Sequence, residues 1–260
     1  MIALKDTLFS IKPVLKGGFR ARMAQTPEDL RKAQKLRHDM FIGPDADGSK
    51  FDVDNFDAVC QHVLIEDIET EQLQACFRIM YFETGADIYK SYSAQFYDLV
   101  RLSTFQQPMI EIGRFCAAKD ATDPNILRLG WAVLTRCVDI NSIAMMFGCS
   151  SFPGNDLNPF KEVLVLLKDH YLAPAAWAPL VKSADIDAYA VRLAFHNPVL
   201  KSATTMMPSL LRTYLSMGGW VSDHAVIDRN LDTFHVFTCV ETVKIPHRRV
   251  ELLRSAARWL

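Results

Sequence analysis

The sequence lacks paired cysteines. Its six, Cys60, Cys76, Cys116, Cys137, Cys149 and Cys239, are scattered among mostly apolar neighbours with no C-x-x-C. That argues against a zinc ribbon or a disulfide framework and points to a reducing compartment. The seven histidines are equally dispersed, with neither H-E-x-x-H nor H-x-H, so no metal site is expected. Charge of one sign is missing too: 29 Lys and Arg stand against 30 Asp and Glu, a formal net charge of −1. No global field marks a nucleic-acid binder. No apolar run reaches the roughly 18–20 residues that span a bilayer. The opening stretch MIALKDTLFSIKPVLKGG carries no secretory apolar region or small-residue cleavage site. A soluble, cytoplasmic protein is expected, with peripheral contact at the inner face of the cytoplasmic membrane as its one membrane option.

What is present is ordinary globular composition: 50% apolar and 23% charged residues, enough for one large domain or two small ones. FRARMAQ (19–25) alternates as a strand. Thr26, Pro27, Glu28 and Asp29 then form a helix start, with Thr as N-cap, Pro in the first turn and acids beside it. Leu30, Ala33, Leu36, Arg37, Met40 and Phe41 follow at helical spacing until Gly43-Pro44. Residues 44–59 read as a long loop containing DVDNFD. QHVLIED (61–67) and LQACFRIMYFE (73–83) read as a hairpin, PMIEIGRFCAA as a central strand, and residues 125–146 as a long amphipathic helix. A strand over FGCSSF (147–152) and a helix over 159–172 come next. A strand near 188–195, a helix over 208–217 stopped by Gly218-Gly219 and a strand near 234–243 complete the pattern. The expected fold class is α/β (α+β), a mixed sheet flanked by helices. The tail RRVELLRSAARWL reads as a helix with Leu252, Leu253, Ala256, Trp259 and Leu260 on one face and Arg248, Arg249, Arg254 and Arg258 elsewhere. Such a helix docks on the domain or lies on an anionic surface.

Several ionisable residues stand where apolar ones are expected. Glu111 and Arg114 interrupt MIEIGRFCA, Arg78 interrupts QACFRIM, Arg37 borders the stripe of the first helix, and Asp54 and Asp57 lie in DVDNFD. Unpaired, such charges cost several kcal/mol each on burial, so they imply mutual neutralisation. Unrelated structural ion pairs would satisfy that condition; so would one cleft. Strict strand alternation sends residues 111 and 114 to opposite faces. Gly113 is therefore expected to be a bulge that re-aims a side chain. A glutamate on such a strand suits attack by an amine on an acyl carbonyl, taking the ammonium proton while a freed backbone amide faces the oxyanion. Neither G-x-S-x-G nor a P-loop occurs in GCSSFPGND, and Cys116 and Cys149 lack the spaced partners of a nucleophile.

In order, LRHDMF, DVDNFD, CFRIMYFETG, QFYDL, EIGRFC, GCSSFPGND and MPSLLRTYLSMGGWVSDHAVIDRNLDTFHVF resemble the bacterial ornithine-acyl-carrier-protein N-acyltransferases over about residues 19–243. The resemblance implies a GNAT-like core over 19–175, a C-terminal extension over 176–245 that completes the domain, and a basic amphipathic tail over 246–260. A more distant likeness to acyl-homoserine-lactone synthases implies that Arg37, Phe41, Asp54, Asp57, Arg78, Glu111, Arg114 and Phe115 share one site. Glu111 and Arg114 would be catalytic; Arg37, Phe41, Asp54, Asp57, Arg78, Phe115, Ser150 and Ser151 would bind substrate. The implied activity moves a 3-hydroxyacyl chain to the α-amine of an amino acid, ornithine or glutamine. The donor would be the acyl-phosphopantetheine of acyl-carrier protein, with no permanently bound cofactor. Between strand and helix, KDATDPNILRLG lacks the paired glycines that hold a pyrophosphate in acetyl-CoA enzymes, which favours a carrier-protein donor. A lactone-forming signal synthase and a non-catalytic acyl- or membrane-binding protein are the alternatives.

Overall fold

The computed structural model describes residues 11–257. In chain order the elements are β1 (Val14–Lys16), β2 (Phe19–Met23), α1 (Pro27–Phe41), β3 (Gln61–Asp67), β4 (Leu73–Phe82), β5 (Tyr97–Asp98) and β6 (Met109–Ala117). They continue with α2 (Pro124–Ile140), β7 (Met145–Pro153), α3 (Lys161–His170), β8 (Leu180–Val181), β9 (Ile186–Asp187), α4 (Tyr189–Arg192) and α5 (Leu200–Met206). The last are α6 (Ser209–Ser216), β10 (Trp220–Asp228), β11 (Thr233–Glu241) and α7 (His247–Ala257). The described residues divide into two compact units built from separate stretches: residues 11–81, 112–143 and 247–257 in the first, 82–111 and 144–246 in the second.

In the first unit β1, β2, β3 and β4 pair antiparallel in succession. The β1–β2 turn falls on Gly17 and Gly18, both at positive φ, the backbone that a two-residue hairpin loop requires. α1 begins as its sequence dictates: Thr26 Oγ1 accepts from Asp29 N–H, and the Asp29 carboxylate accepts from Thr26 N–H, a capping box that satisfies two end donors. Its buried face packs Ala33 with Ala24, Leu64, Cys76 and Cys116. α7 docks on α2, where Arg254 pairs with Asp139 and Arg136 donates to the carbonyl of Ala257. The tail is thus a docked helix as far as Ala257, but Leu252 is exposed rather than part of the docked face. Arg258, Trp259 and Leu260 lie outside the described residues, as does the Ala256 side chain.

In the second unit the first three residues of β6 pair parallel with β7. β7 pairs antiparallel with β11 over nine positions, from Met145↔Glu241 to Pro153↔Thr233. β10 continues the antiparallel order with a bulge between Val221 and Ala225, and β9 follows. The sheet is therefore mixed, as expected. Phe152, Phe234, Val236, Leu164, Leu167, Tyr189 and Leu211 build its core. Two sequence expectations are corrected here, and one strand is added. The long helix stops at Ile140, because β7 already starts at Met145. Residues 188–195 are not a strand but the short helix α4 and the turn after it, with Tyr189 and Leu193 buried. β10 was not anticipated, since polar Ser222, Asp223 and His224 interrupt its alternation.

The His224 ring packs against Tyr97 with centroids 5.3 Å apart, and Tyr97 donates from its hydroxyl to the His235 carbonyl at 2.9 Å and lies 3.1 Å from His235 Nδ1. Burial pushes the His235 imidazole down to about 4, because the charged ring would lose its hydration. A group held neutral in the fold contributes stability that is complete above its unfolded pKa of about 6.5 and is lost as pH falls toward 4. Denaturant titrations across that window should show about 3 kcal/mol of acid destabilisation from this group. His235→Gln, which keeps a polar partner for Tyr97 but cannot titrate, should flatten the curve. An unchanged slope in that variant would assign the transition to other groups.

Candidate active site

The first unit gathers most of the residues singled out from sequence into one ionic cluster. Arg37, on the buried face of α1, is 1% exposed. Its Nη1 and Nη2 donate to the two oxygens of Asp57 at 2.8 and 2.9 Å, and Nη2 also donates to the Asp52 carbonyl. Its Nε lies 2.9 Å from Asp52 Oδ2, an ion pair without hydrogen-bond alignment. Arg78 on β4 grips Asp54 with both terminal nitrogens, at 2.6 and 2.8 Å, and reaches Asp57 Oδ1 at 3.1 Å. Arg114 on β6 donates from Nε to Asp52 at 3.0 Å and from Nη2 to Asp54 at 3.4 Å. Three guanidiniums thus face three carboxylates.

DVDNFD is presented by its own local chemistry. Asp54 is the N-cap of a single 3₁₀ turn, Asn55–Ala58, accepting from Phe56 N–H at 2.9 Å, while Asp57 accepts from Asp54 N–H at 3.4 Å. Each acid therefore binds one end of the turn and one or more arginines. Burial alone would raise the Asp57 carboxyl, but Arg37 and Gln34 more than offset it and bring it to about 2. Asp54 is likewise held below the usual range: burial opposes the charge, while hydrogen bonds from Arg78 and the charges of Arg78 and Arg114 favour it. Burial pushes His62 down, so it sits neutral with Nε2 3.1 Å from the Asp57 carbonyl.

Aromatic rings border the charges. Phe56 lies 5.3 Å below the Arg78 guanidinium and Phe41 5.8 Å from that of Arg114, distances at which a ring face attracts a cation. Phe115 stacks on Phe77 with centroids 5.0 Å apart, and its ring approaches Gly130 of α2 so closely that a Cβ there would meet it at 3.1 Å. The break in β6 is one residue later than expected. Arg114, not Gly113, takes left-handed backbone, with φ +53°, at a cost of about 1–2 kcal/mol for a non-glycine residue. The cluster holds it there. Gly113 lies beside Arg78, whose Nε would make an ordinary contact of 3.5 Å with an added Cβ.

Glu111 belongs to the second unit and has a different setting. Its carboxylate accepts from Tyr92 N–H at 2.8 Å, Ser93 N–H at 2.7 Å and the Ser93 hydroxyl at 2.6 Å. The Ser93 hydroxyl also lies 3.5 Å from Cys149 Sγ. Ser150 is buried and accepts from Thr238 Oγ1 at 2.9 Å, whereas Ser151, on the other face of β7, is exposed. The two serines are not brought together. Nearby in chain, Ile88, Tyr89, Ala94, Tyr97, Leu99 and Val181 line a mostly apolar recess of about 390 Å³.

Sequence reasoning missed Asp52, Gln34, His62 and Ser93. Asp52 stood in view as the first acid of DVDNFD, but its partners Arg37 and Arg114 are distant in chain. Ser93 carried no signal in sequence.

Residues 19–132 match the acetyltransferase (GNAT) domain. Along nearly its whole length the chain is similar to enzymes named L-ornithine N(alpha)-acyltransferase. That of Rhodobacter capsulatus is 26% identical over 90% of this chain and 93% of its own, and that of Brucella abortus 29% identical over 93% and 90%. Among solved structures, FeeM, an N-acyl amino acid synthase from uncultured soil microbes, matches 86% of this chain and 92% of its own at TM-score 0.49 and 10% identity. The resemblance read from the motifs is borne out, and the protein is an acyltransferase.

Two stability outcomes follow from these contacts. Arg37→Met leaves Asp52 and Asp57 short of a buried cation and should cost about 3–5 kcal/mol by denaturant titration. Arg37→Lys, which cannot reproduce the fork on Asp57, should recover only part of that loss. The Asp57 contribution is complete above pH 4 and lost as pH falls toward 2, so acid should narrow the gap between Arg37→Met and the parent. A gap constant down to pH 2 would show that the Arg37–Asp57 pair is not its source.

Proposed function

We propose that the protein moves a 3-hydroxyacyl chain from the phosphopantetheine of acyl-carrier protein to the α-amine of an amino acid, ornithine or glutamine, forming a lyso-aminolipid. The reading is supported above all by similarity over about nine-tenths of the chain to enzymes named for acylating the α-nitrogen of L-ornithine. The stretch 119–130, KDATDPNILRLG, keeps one glycine where a pyrophosphate loop needs paired ones, in keeping with a donor that bears a single phosphate. The apolar recess bordered by Tyr89 and Leu99 offers walls of the kind an acyl chain needs.

In this reading Glu111 accepts the ammonium proton of the acceptor, directly or through a water. The free amine then attacks the thioester carbon, and the C–S bond breaks to release the carrier thiol. Arg114 and Arg78 orient the acceptor's carboxylate. Arg37 and Asp57 are positioning residues, as burial keeps them from substrate. Glu111 also holds the turn at Tyr92–Ser93, so proton transfer and scaffolding need separate tests.

Thiol release from 3-hydroxyacyl-carrier protein should depend on an added amino acid and yield an N-acylated product by mass. No release with any amino acid would favour a binding protein; methylthioadenosine formed from S-adenosylmethionine would mark a signal synthase. Glu111→Gln should lower kcat by roughly 10²–10⁴ if the carboxylate moves the proton. Ser93→Ala removes one hydrogen bond from the turn but keeps the carboxylate, so it should stay within about tenfold of the parent. Equal losses in both variants would make Glu111 a scaffold residue.

A further inference from the structure

The second unit carries an outward apolar ridge that its core does not use. Between α4 and α5, Phe195 is 100% exposed, Val191 77%, and Val199 and Leu200 59% each, with Met206 also exposed. The ridge is firmly seated. Tyr189, Leu193, Ala203 and Met207, interleaved with those residues, are buried in the core of the unit. The Val199 amide donates to Glu162 of α3 at 2.7 Å.

The turn at its tip is built in a way that fits an apolar medium. Lys168 Nζ donates to the carbonyls of Leu193, Ala194 and His196 at 3.0, 3.3 and 3.0 Å. The Leu193 carbonyl also accepts from His196 N–H at 3.0 Å, and Lys168 pairs with Asp169 at 2.9 Å. The ammonium thus serves the Ala194 and His196 carbonyls, and an unsatisfied carbonyl is what makes a loop costly to dehydrate. Charge adds direction. Residues 188–222 contain no Asp or Glu, but hold Arg192, Lys201 and Arg212, all exposed, and His196. Arg192 is paired with Asp187, which leaves Lys201, on α5 directly after Leu200, as the cation nearest the ridge in sequence. Aromatic and aliphatic side chains project here beside cations, and the neighbouring acids Glu162 and Asp187 are engaged by the Val199 amide and by Arg192. That composition suits a surface resting in the headgroup region of an anionic bilayer.

We propose that this ridge, centred on Phe195, is the contact of the protein with anionic lipid. Phe195, Val191, Val199 and Leu200 enter the boundary between headgroups and chains, and Lys201 and Arg212 meet lipid phosphates. The contact does not depend on the acyl-transfer reading, and it places membrane attachment in the second unit rather than on the basic α7.

The test is sedimentation of the full chain with large unilamellar vesicles of phosphatidylcholine containing 0 or 30 mol% (about one lipid in three) phosphatidylglycerol, without substrates. Binding should require the anionic lipid and weaken as salt is raised. Phe195→Ser should lower the partition coefficient about tenfold. Lys201→Glu should lower it about tenfold on the anionic vesicles alone. Since Phe195 touches no core, its variant should melt with the parent. Parent-like binding by Phe195→Ser would overturn the proposal. So would loss of binding in Arg248→Glu/Arg249→Glu with Phe195→Ser unaffected, which would return the contact to α7. Two further outcomes would also overturn it. One is capture of acidic carrier protein, but not vesicles, through this ridge; the other is self-association that Phe195→Ser abolishes.

Discussion

The first unit depends on the burial of one guanidinium. Arg37 is 1% exposed, and a charge so placed is tolerable only if its hydrogen bonds are met in the interior. Asp57 meets two of them and the Asp52 carbonyl another. That requirement fixes where residues 52–57 can lie, since both acids must reach a nitrogen on α1. It also explains why a segment with no long secondary element is well defined: the turn Asn55–Ala58 is capped from within by the acids that hold the arginines. Replacing the ionic core by apolar groups need not lower stability. What the ions contribute is register, because a carboxylate 2.8 Å from a guanidinium nitrogen leaves little freedom to slide.

The strain at Arg114 follows from the same constraint. A regular strand would alternate residues 111 to 114 across its two faces, and a left-handed residue resets that alternation. Glycine would adopt such a backbone more cheaply, and Gly113 is adjacent, yet the turn falls on the arginine. Its side chain is anchored by Asp52 and Asp54, and those bonds outweigh the roughly 1–2 kcal/mol of backbone cost. Gly113 itself keeps negative-φ backbone beside Arg78. A glycine in a strand thus marked the right place and the wrong device.

Much of this was legible in sequence because it was local or periodic. The Thr26–Asp29 cap, the alternation of residues 61–67 and the helix before Gly218-Gly219 announce themselves within a few residues. The charges inside apolar runs announced a cluster, and Arg37, Asp54, Asp57, Arg78 and Arg114 do meet. What stayed hidden required partners distant in chain. Ser93 is an ordinary residue until Glu111, 18 positions on, is seen to accept its hydroxyl. β10 hides its strand character because Ser222 and His224 are buried through bonds to the backbone, Tyr189 and Asp223. The interleaving of the two units depends on which strands pair, and no local pattern specifies that.

Under the proposed function, the ionic cluster would also limit how an acceptor joins it. Arg37, Arg78 and Arg114 against Asp52, Asp54 and Asp57 sum to zero, with His62 held neutral. An amino acid zwitterion adds no net charge, so it can enter by exchange, its carboxylate replacing an aspartate on one guanidinium. Exchange is cheapest where the existing bond is longest and the groups already touch solvent. That is Arg114–Asp54, at 3.4 Å with side chains 12% and 22% exposed, not Arg37–Asp57, at 2.8 Å with both nearly sealed. An α-ammonium resting on Asp54 would be held protonated and kept from attack, whereas a side-chain ammonium there would be bound without loss of nucleophilicity. The buried end of the cluster therefore specifies structure, and in the proposed reaction its open end, Arg114–Asp54, is where acceptor chemistry would be selected.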